Sequence, residues 1–332
     1  MKIGNDFPSL LQAFFTDRLM AQRNASPHTI AAYRDTFRLL FGYAQEHLGK
    51  PPSALTLEEL DSSFIGDFLD HLEHTRGNGA RSRNARLAAI RSFFRYAAYQ
   101  LPEHSSLVQR VLAMPSKKHQ RALVEFLTEQ ESRALLDAPD RRTWSGRRDY
   151  ALLLVAIQTG LRVSELTGLH CCDVAFGTGA HLRCLGKGRK MRCTPLTRSV
   201  ATVLSAWMKE QSSQPSEPLF PNRKGEKLSA DGAQFILNKH TSIARQQCPS
   251  MEEKKVSPHV LRHTAAMNLL QAGADTSTIA LWLGHENLET VHMYVEADLA
   301  MKQKILSKTA VPTGTVKRFR PDDVLLAFLK GL

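Results

Sequence analysis

The chain reads as a mainly α-helical protein in two domains, with one small antiparallel β-sheet in the second. Three observations predict this. Apolar residues recur at helical spacing through most of the chain. The period changes only over residues 173–196, and a proline- and cation-rich stretch, PSKKHQRALVEF, interrupts the helical pattern after residue 114. A length of 332 residues is enough for two ordinary cores. The expected layout is a helical domain over 1–114, a basic linker over 115–127, a second domain over 128–311 and a tail over 312–332.

From Phe7 to about Gln22, the residues Leu10, Leu11, Phe14, Phe15 and Leu19 mark a first helix. Ser26 and Pro27 open a second through about Gln45, with Ile30, Tyr33, Phe37, Leu40 and Phe41 inward. Thr56, with Glu59 three residues on, predicts a capping box for a third helix whose stripe is Leu60, Phe64, Phe68 and Leu72. After the turn at 77–79, a helix spans about Arg81 to Gln100, with Leu87, Ile90, Phe94 and Ala97 in one sector and Arg81, Arg91 and Arg95 roughly opposite. Five arginines and no acid fall between Arg81 and Arg95, which favours contact with phosphates over an ordinary solvated face. The linker adds Lys117, Lys118 and Arg121.

Thr128 and Glu131 form a second capping box, where the next domain begins. A helix from about Arg147 to Gln158 is almost wholly apolar after its first turn, so it belongs to a core. Gly160 ends it, places Arg162 on a tight connection, and leaves Glu165 on the following helix able to buttress Arg162. The segments near His181–Leu185 and Lys190–Leu196 flank Gly-Lys-Gly and predict a β-hairpin with Lys187 at its tip. Arg183, Lys187, Arg189, Lys190 and Arg192 follow one another there without an acid. Helices near Ser199–Gln211 and Ser229–Gln246 come next.

The densest stretch is Ser257–Tyr294. Ser257 and Pro258 predict a helix start, with Gln271 near its end and Gly273 as a stop. His259, Arg262 and His263 share one helical face. A second helix should run from Thr276 to Leu283, ended by Gly284, with His285 just beyond and Tyr294 nine residues later. The spacing in HVLRH also suits a zinc pair, but Val260 stands where a metalloprotease helix carries Glu.

A net charge of +12 points to a polyanionic partner. The five cysteines form no CxxC pair and no disulfide-like framework, which fits a reducing cytoplasm. Lys2, Asn5 and Asp6 break up the start, so no signal peptide is expected. No uncharged run approaches the ~20 residues of a membrane span.

The motif H-x-x-R followed by L-G-H and a tyrosine resembles the tyrosine recombinase (phage integrase) family. TGLRVSEL, with Arg162, and GKGRKMRCTPL, with Lys187, extend the likeness upstream. The resemblance implies a two-domain DNA clamp, with a helical core-binding (SAM-like) domain joined to the tyrosine recombinase catalytic domain. It implies a site-specific recombinase that cuts and rejoins duplex DNA through a 3′-phosphotyrosyl link. Tyr294 would be the nucleophile, Arg162 and Arg262 the phosphate clamp, and His285 a hydrogen-bond donor to that phosphate. Lys187 would protonate the 5′-oxygen and His259 would assist proton transfer, while His263 is assigned to structure. Glu165 would support Arg162 from behind. DNA contacts are expected from Arg81, Arg91, Arg95, Lys117, Lys118, Arg121, Arg189, Lys190 and Arg192. No cofactor and no metal is implied.

A homo- or hetero-tetramer with related recombinases on DNA is implied too, along with a mobile-element role and a tail, most of all Val324–Leu329, that docks on a neighbouring protomer. The alternatives are relaxation of DNA by a type IB topoisomerase, and a catalytically silent DNA-binding accessory protein. A helix-turn-helix regulator would account for residues 264–283 alone, and leaves Arg162, Lys187 and Tyr294 unexplained.

Overall fold

The computed structural model describes residues 6–118, 124–186, 191–211, 214–284, 291 and 294. Lys187, Arg189, Lys190, Arg121, His285 and the tail over 312–332 lie outside the described residues. The chain forms two compact units, Met1–Arg121 and Ala122–Leu332.

The first unit is helical. Helix α1 (Phe7–Ala13) continues as a π-helical stretch, Phe14–Gln22. Helix α2 (Pro27–Leu48) starts where Ser26 accepts the Thr29 amide and stops at Gly49, whose left-handed backbone ends the turn. Helices α3 (Ser62–His74), α4 (Ala80–Gln100) and α5 (Ser105–Ala113) complete the bundle. Phe14, Phe37 and Phe93 meet edge to face at its centre, with Phe14 and Phe37 each 5.5 Å from Phe93 between centroids.

The expected cap of α3 is corrected. Thr56 and Glu59 do bond, through the Thr56 amide and Glu59 at 3.0 Å, but they close a turn ahead of the helix. Asp61 is the cap, its carboxylate accepting the Phe64 amide at 2.8 Å. An acceptor three residues before a free helical amide takes that role, and Asp61 is the residue so placed.

The arginines of α4 do not form one uniform face. Arg83 is buried, with Nε 3.4 Å from Glu73. Arg86 donates to the Ala32 carbonyl and to Thr36, each at 3.1 Å, tying α4 to α2. Arg91, expected on the outer face, is half-buried and reaches Ser116 at 3.5 Å. Arg81 and Arg95 remain exposed. Lys117 is also engaged: it pairs with Glu73 and lies 3.6 Å from Asp70, and its amide donates to Asn84 at 3.0 Å. Lys118 is exposed.

In the second unit, α6 (Glu129–Asp137) carries the Thr128–Glu131 capping box that the sequence predicts. Helix α7 (Trp144–Thr159) begins a turn earlier than expected because Thr143 accepts the Gly146 amide. Helix α8 (Val163–Thr167) follows at once. The sheet has three antiparallel strands in the order β1 (Val174–Ala175), β2 (His181–Leu185), β3 (Met191–Pro195), one more than the expected hairpin. Helices α9 (Arg198–Gln211) and α10 (Ala230–Gln247) follow it in sequence, and α11 (Pro258–Gln271) and α12 (Thr276–Leu283) end the described helices.

The apolar α7 hides one charged pair. Asp149 takes two bonds from Arg148, at 3.0 and 2.7 Å, on one carboxylate oxygen. Its other oxygen meets His240 Nε2 of α10 at 2.8 Å, while Arg148 also donates to the Pro221 carbonyl at 3.0 Å. Among the described residues no helix is long and apolar enough to cross a membrane.

Candidate active site

The site is built on the start of α11 and the end of α7. Ser257 caps α11 by accepting the Val260 amide at 3.3 Å, and this fixes the turn that carries His259, Arg262 and His263. Arg262 is buried and donates to the carbonyls of Gly160 and Leu283, each at 2.7 Å. One guanidinium thereby joins the last residue of α12 to the turn after α7.

That turn depends on Gly160, whose φ of 64° lies in the left-handed region. A Cβ there would stand 2.7 Å from Leu283 and 2.9 Å from Ala265. Gly284, at φ 66°, is equally constrained, since a Cβ would sit 2.8 Å from an Arg192 nitrogen. Close packing at both glycines lets three arginines converge.

Arg162 occupies the cap position of α8. Its amide and its guanidinium each reach Glu165 at 2.8 Å, and its other terminal nitrogen donates to the Gly284 carbonyl at 3.2 Å. The expected support of Arg162 by Glu165 is therefore the arrangement seen. Arg192 joins them, giving Glu165 two bonds at 3.0 and 2.7 Å.

The sequence alone counts Arg192 among the DNA contacts, and the structure places it in the Glu165 cluster rather than on the outer face of the strand. Alternation along β3 turns Arg192 inward with Thr194, while Met191 and Cys193 face out. Its register partner on β2 is the buried Cys184.

Among the described residues of this cluster, positive charge outweighs negative. Burial works against ionised Glu165, but bonds from Arg192 and Arg162 hold its carboxyl below the usual range. Burial, reinforced by the charge of Arg162, pushes Arg262 down to about 10. Three guanidiniums gathered around one carboxylate are a donor set suited to phosphate or another oxyanion.

Tyr294 is buried at 1% exposure and lies within range of the Arg262 charge. Burial raises its phenol pKa, and Arg262 opposes that rise. Its hydroxyl shares a 2.9 Å hydrogen bond with Nδ1 of His263. His263, which the sequence alone assigns to structure, is thus the histidine in contact with Tyr294. His259, the histidine of the motif, is exposed and packs its ring against His263, centroids 4.3 Å apart.

Of the expected catalytic residues, the structure brings Arg162, Arg262 and Tyr294 together with Glu165 and Arg192, and His259 reaches them through His263. Lys187 and His285 lie outside the described residues.

A buried tyrosine beside a cation cluster on a helical scaffold suits chemistry on a phosphate. The phage integrase family model matches residues 125–301, and that for the phage integrase N-terminal SAM-like domain matches residues 13–100. The chain belongs to the phage integrase family and is a tyrosine-type site-specific recombinase.

It is 59% identical over 323 residues to integrase/recombinase y4rC of Sinorhizobium fredii, covering 97% of each chain. It is 32% identical over 301 residues to the tyrosine recombinase XerC of Pelotomaculum thermopropionicum, covering 88% of this chain and 94% of that one. The crystal structure of the XerH recombinase bound to palindromic difH substrate after cleavage is similar, with TM-score 0.69, 23% identity, and coverage of 86% and 81%. So is the Tn1549 transposon integrase with transposon right-end DNA, with TM-score 0.68, 15% identity, and coverage of 91% and 99%. These two likenesses are of fold.

Proposed function

We propose that this recombinase cleaves duplex DNA by attack of Tyr294 on a phosphodiester held between Arg162 and Arg262. The observation that carries this reading is the convergence of both arginines on the Gly160–Gly284 turns, with Tyr294 in range of Arg262. Displacement at phosphorus needs an in-line nucleophile, neutralised non-bridging oxygens and a protonated leaving group. The two guanidiniums supply the second requirement, because they stay charged and offer paired donors. His285 adds a hydrogen bond to the phosphate, Lys187 protonates the leaving 5′-oxygen, and His259 belongs to the proton-transfer apparatus. The 3′-phosphotyrosyl link conserves the bond energy for rejoining.

The exposed cations Arg81, Arg95 and Lys118 face the duplex, joined by Arg121, Arg189 and Lys190. Arg91 and Lys117 contribute once their present contacts with Ser116 and Glu73 yield. The enzyme acts as a tetramer of itself or with sister recombinases, the tail docking on a neighbour. It works in the cytoplasm, for a mobile element. None of the five cysteines is in a disulfide, in keeping with a reducing compartment.

The test is covalent trapping on nicked duplexes tiled across the DNA beside its gene. The wild type should trap a 3′-linked adduct that survives EDTA, and Tyr294→Phe, which removes one oxygen, should bind DNA and trap none. Lys187→Ala should cleave slowly on a normal 5′-oxygen and regain speed on a 5′-bridging sulfur, whose thiolate leaves unprotonated. An adduct that persists in Tyr294→Phe sinks the assignment. Relaxation of any supercoiled plasmid without sequence preference would favour the topoisomerase alternative.

A further inference from the structure

The residue in contact with the nucleophile is not the histidine of the H-x-x-R motif. The Tyr294 oxygen lies 2.9 Å from His263 Nδ1, and the two rings stand 5.4 Å apart between centroids. His263 is buried on α11 one residue after the Arg262 clamp, whereas His259 is exposed and touches the edge of the His263 ring. We propose that His263, rather than His259, takes the phenolic proton of Tyr294 during DNA cleavage. The inference rests on Tyr294 being the nucleophile.

The step balances within these groups. The Tyr294 O–H bond breaks and its proton passes to Nδ1 of His263, while the phenolic electron pair forms the O–P bond. The P–O5′ bond breaks, and the 5′-oxygen takes its proton from the separate donor assigned above. In rejoining, the proton on His263 returns to the phenol as that bond breaks.

Three physical points support the assignment. Burial raises the phenol's pKa, so attack at neutral pH calls for an acceptor already in hydrogen-bond reach. Among the described residues, the charged or titratable groups facing His263 are His259 and Arg262 on its own helix and Tyr294 opposite. Burial first, then His259 and Arg262, push His263 down to about 4, which leaves its ring neutral and able to accept. A phosphodiester arriving at Arg262 adds negative charge beside the ring and raises its basicity when the proton must move.

The test compares full-length His263→Asn, His263→Leu and His259→Ala on a nicked duplex that the wild type captures. Asparagine keeps a polar atom near Nδ1 but takes up no proton in this pH range. At pH 7, both His263 variants should trap the adduct about 100-fold more slowly, with duplex affinity unchanged. His259→Ala should lose less than about tenfold, short of a general base's usual contribution. The deficit of His263→Asn should shrink between pH 7 and 10 as the phenol ionises unaided.

A His263→Asn rate near wild type, a deficit flat with pH, or a larger loss in His259→Ala would each overturn the proposal. So would faster cleavage in His263→Leu, which marks the contact as a restraint on the nucleophile. A second arm needs no DNA. The ¹⁵N resonance of His263 Nδ1 in the full chain should shift in Tyr294→Phe, and an unmoved resonance overturns the proposal even where a variant misfolds. Failure of the wild type to capture any duplex would count against the proposed function instead.

Discussion

Two buried polar clusters in the second unit follow opposite rules. At Asp149 every charge is answered: Arg148 and His240 occupy its two oxygens, and the remaining Arg148 nitrogen rests on the Pro221 carbonyl. At Glu165, one carboxylate serves Arg162 and Arg192, with Arg262 close enough to be pushed down to about 10 by burial and by Arg162. The first cluster is sealed, its side chains at 7%, 2% and 2% exposure, while Arg162 opens to solvent at 31%. Burying charge is costly unless it is paired, so a balanced network serves the fold. The Glu165 cluster, with three guanidiniums to one carboxylate among the described residues, is suited to receive an anion.

The largest expected effect is at the balanced cluster. Asp149→Ala strands a buried guanidinium and should lower unfolding free energy by about 3–5 kcal/mol. Chemical denaturation with sulfate near 20 mM, against chloride at equal ionic strength, then sharpens the contrast. Sulfate should give this variant no more than it gives the wild type. Preferential recovery would show that an anion enters the Asp149 cluster, and the comparison would break.

Glu165→Gln should cost less, about 1–3 kcal/mol, because it removes one charge and keeps some hydrogen bonds. Here sulfate should recover most of the loss by sitting among Arg162, Arg192 and Arg262. The wild type and Asp149→Ala share the intact Glu165 cluster, so sulfate should stabilise those two alike and Glu165→Gln more. Equal responses in all three proteins would remove the idea of a reserved anion place.

Much of this second unit is readable from sequence where the signal is local. Ser257, Pro258 and Gly284 fix α11 and α12 through caps and a left-handed stop, and both helices run where those signals place them. The Arg162–Glu165 pair is three residues apart and equally visible. What escapes depends on distant packing. His263 and His259 share a face, and only the position of Tyr294, 31 residues on, decides which ring meets the phenol. Arg192 looks like its basic neighbours until the hairpin register turns it inward. Asp149 stands beside Arg147 and Arg148 just ahead of the apolar run of α7, and its partner His240 is 91 residues away.

The smallest effect carries the same rule into the first unit, where five similar arginines divide by their partners. Arg83 is buried beside Glu73, an acid it shares with Lys117, and belongs to the packing of the bundle. Arg81 and Arg95 are exposed, and Arg95 shares a cavity of about 450 Å³ with Arg18, Arg23 and Tyr99, whose ring is 82% exposed. An open basic wall with an exposed aromatic suits a nucleic-acid backbone. Arg83→Ala should therefore lower stability by about 1–2 kcal/mol and leave duplex binding alone. Arg81→Ala with Arg95→Ala should stay within about 0.5 kcal/mol in stability. Every phosphate that a cation ceases to neutralise reduces the slope of log K against log salt by about 0.9, so the double variant should flatten it by up to about 2. Fluorescence anisotropy with a random-sequence duplex at several salt concentrations measures that slope. An unchanged slope in the double variant, or a flattened one in Arg83→Ala, would mean that exposure does not separate the arginines that bind DNA from those that hold the bundle.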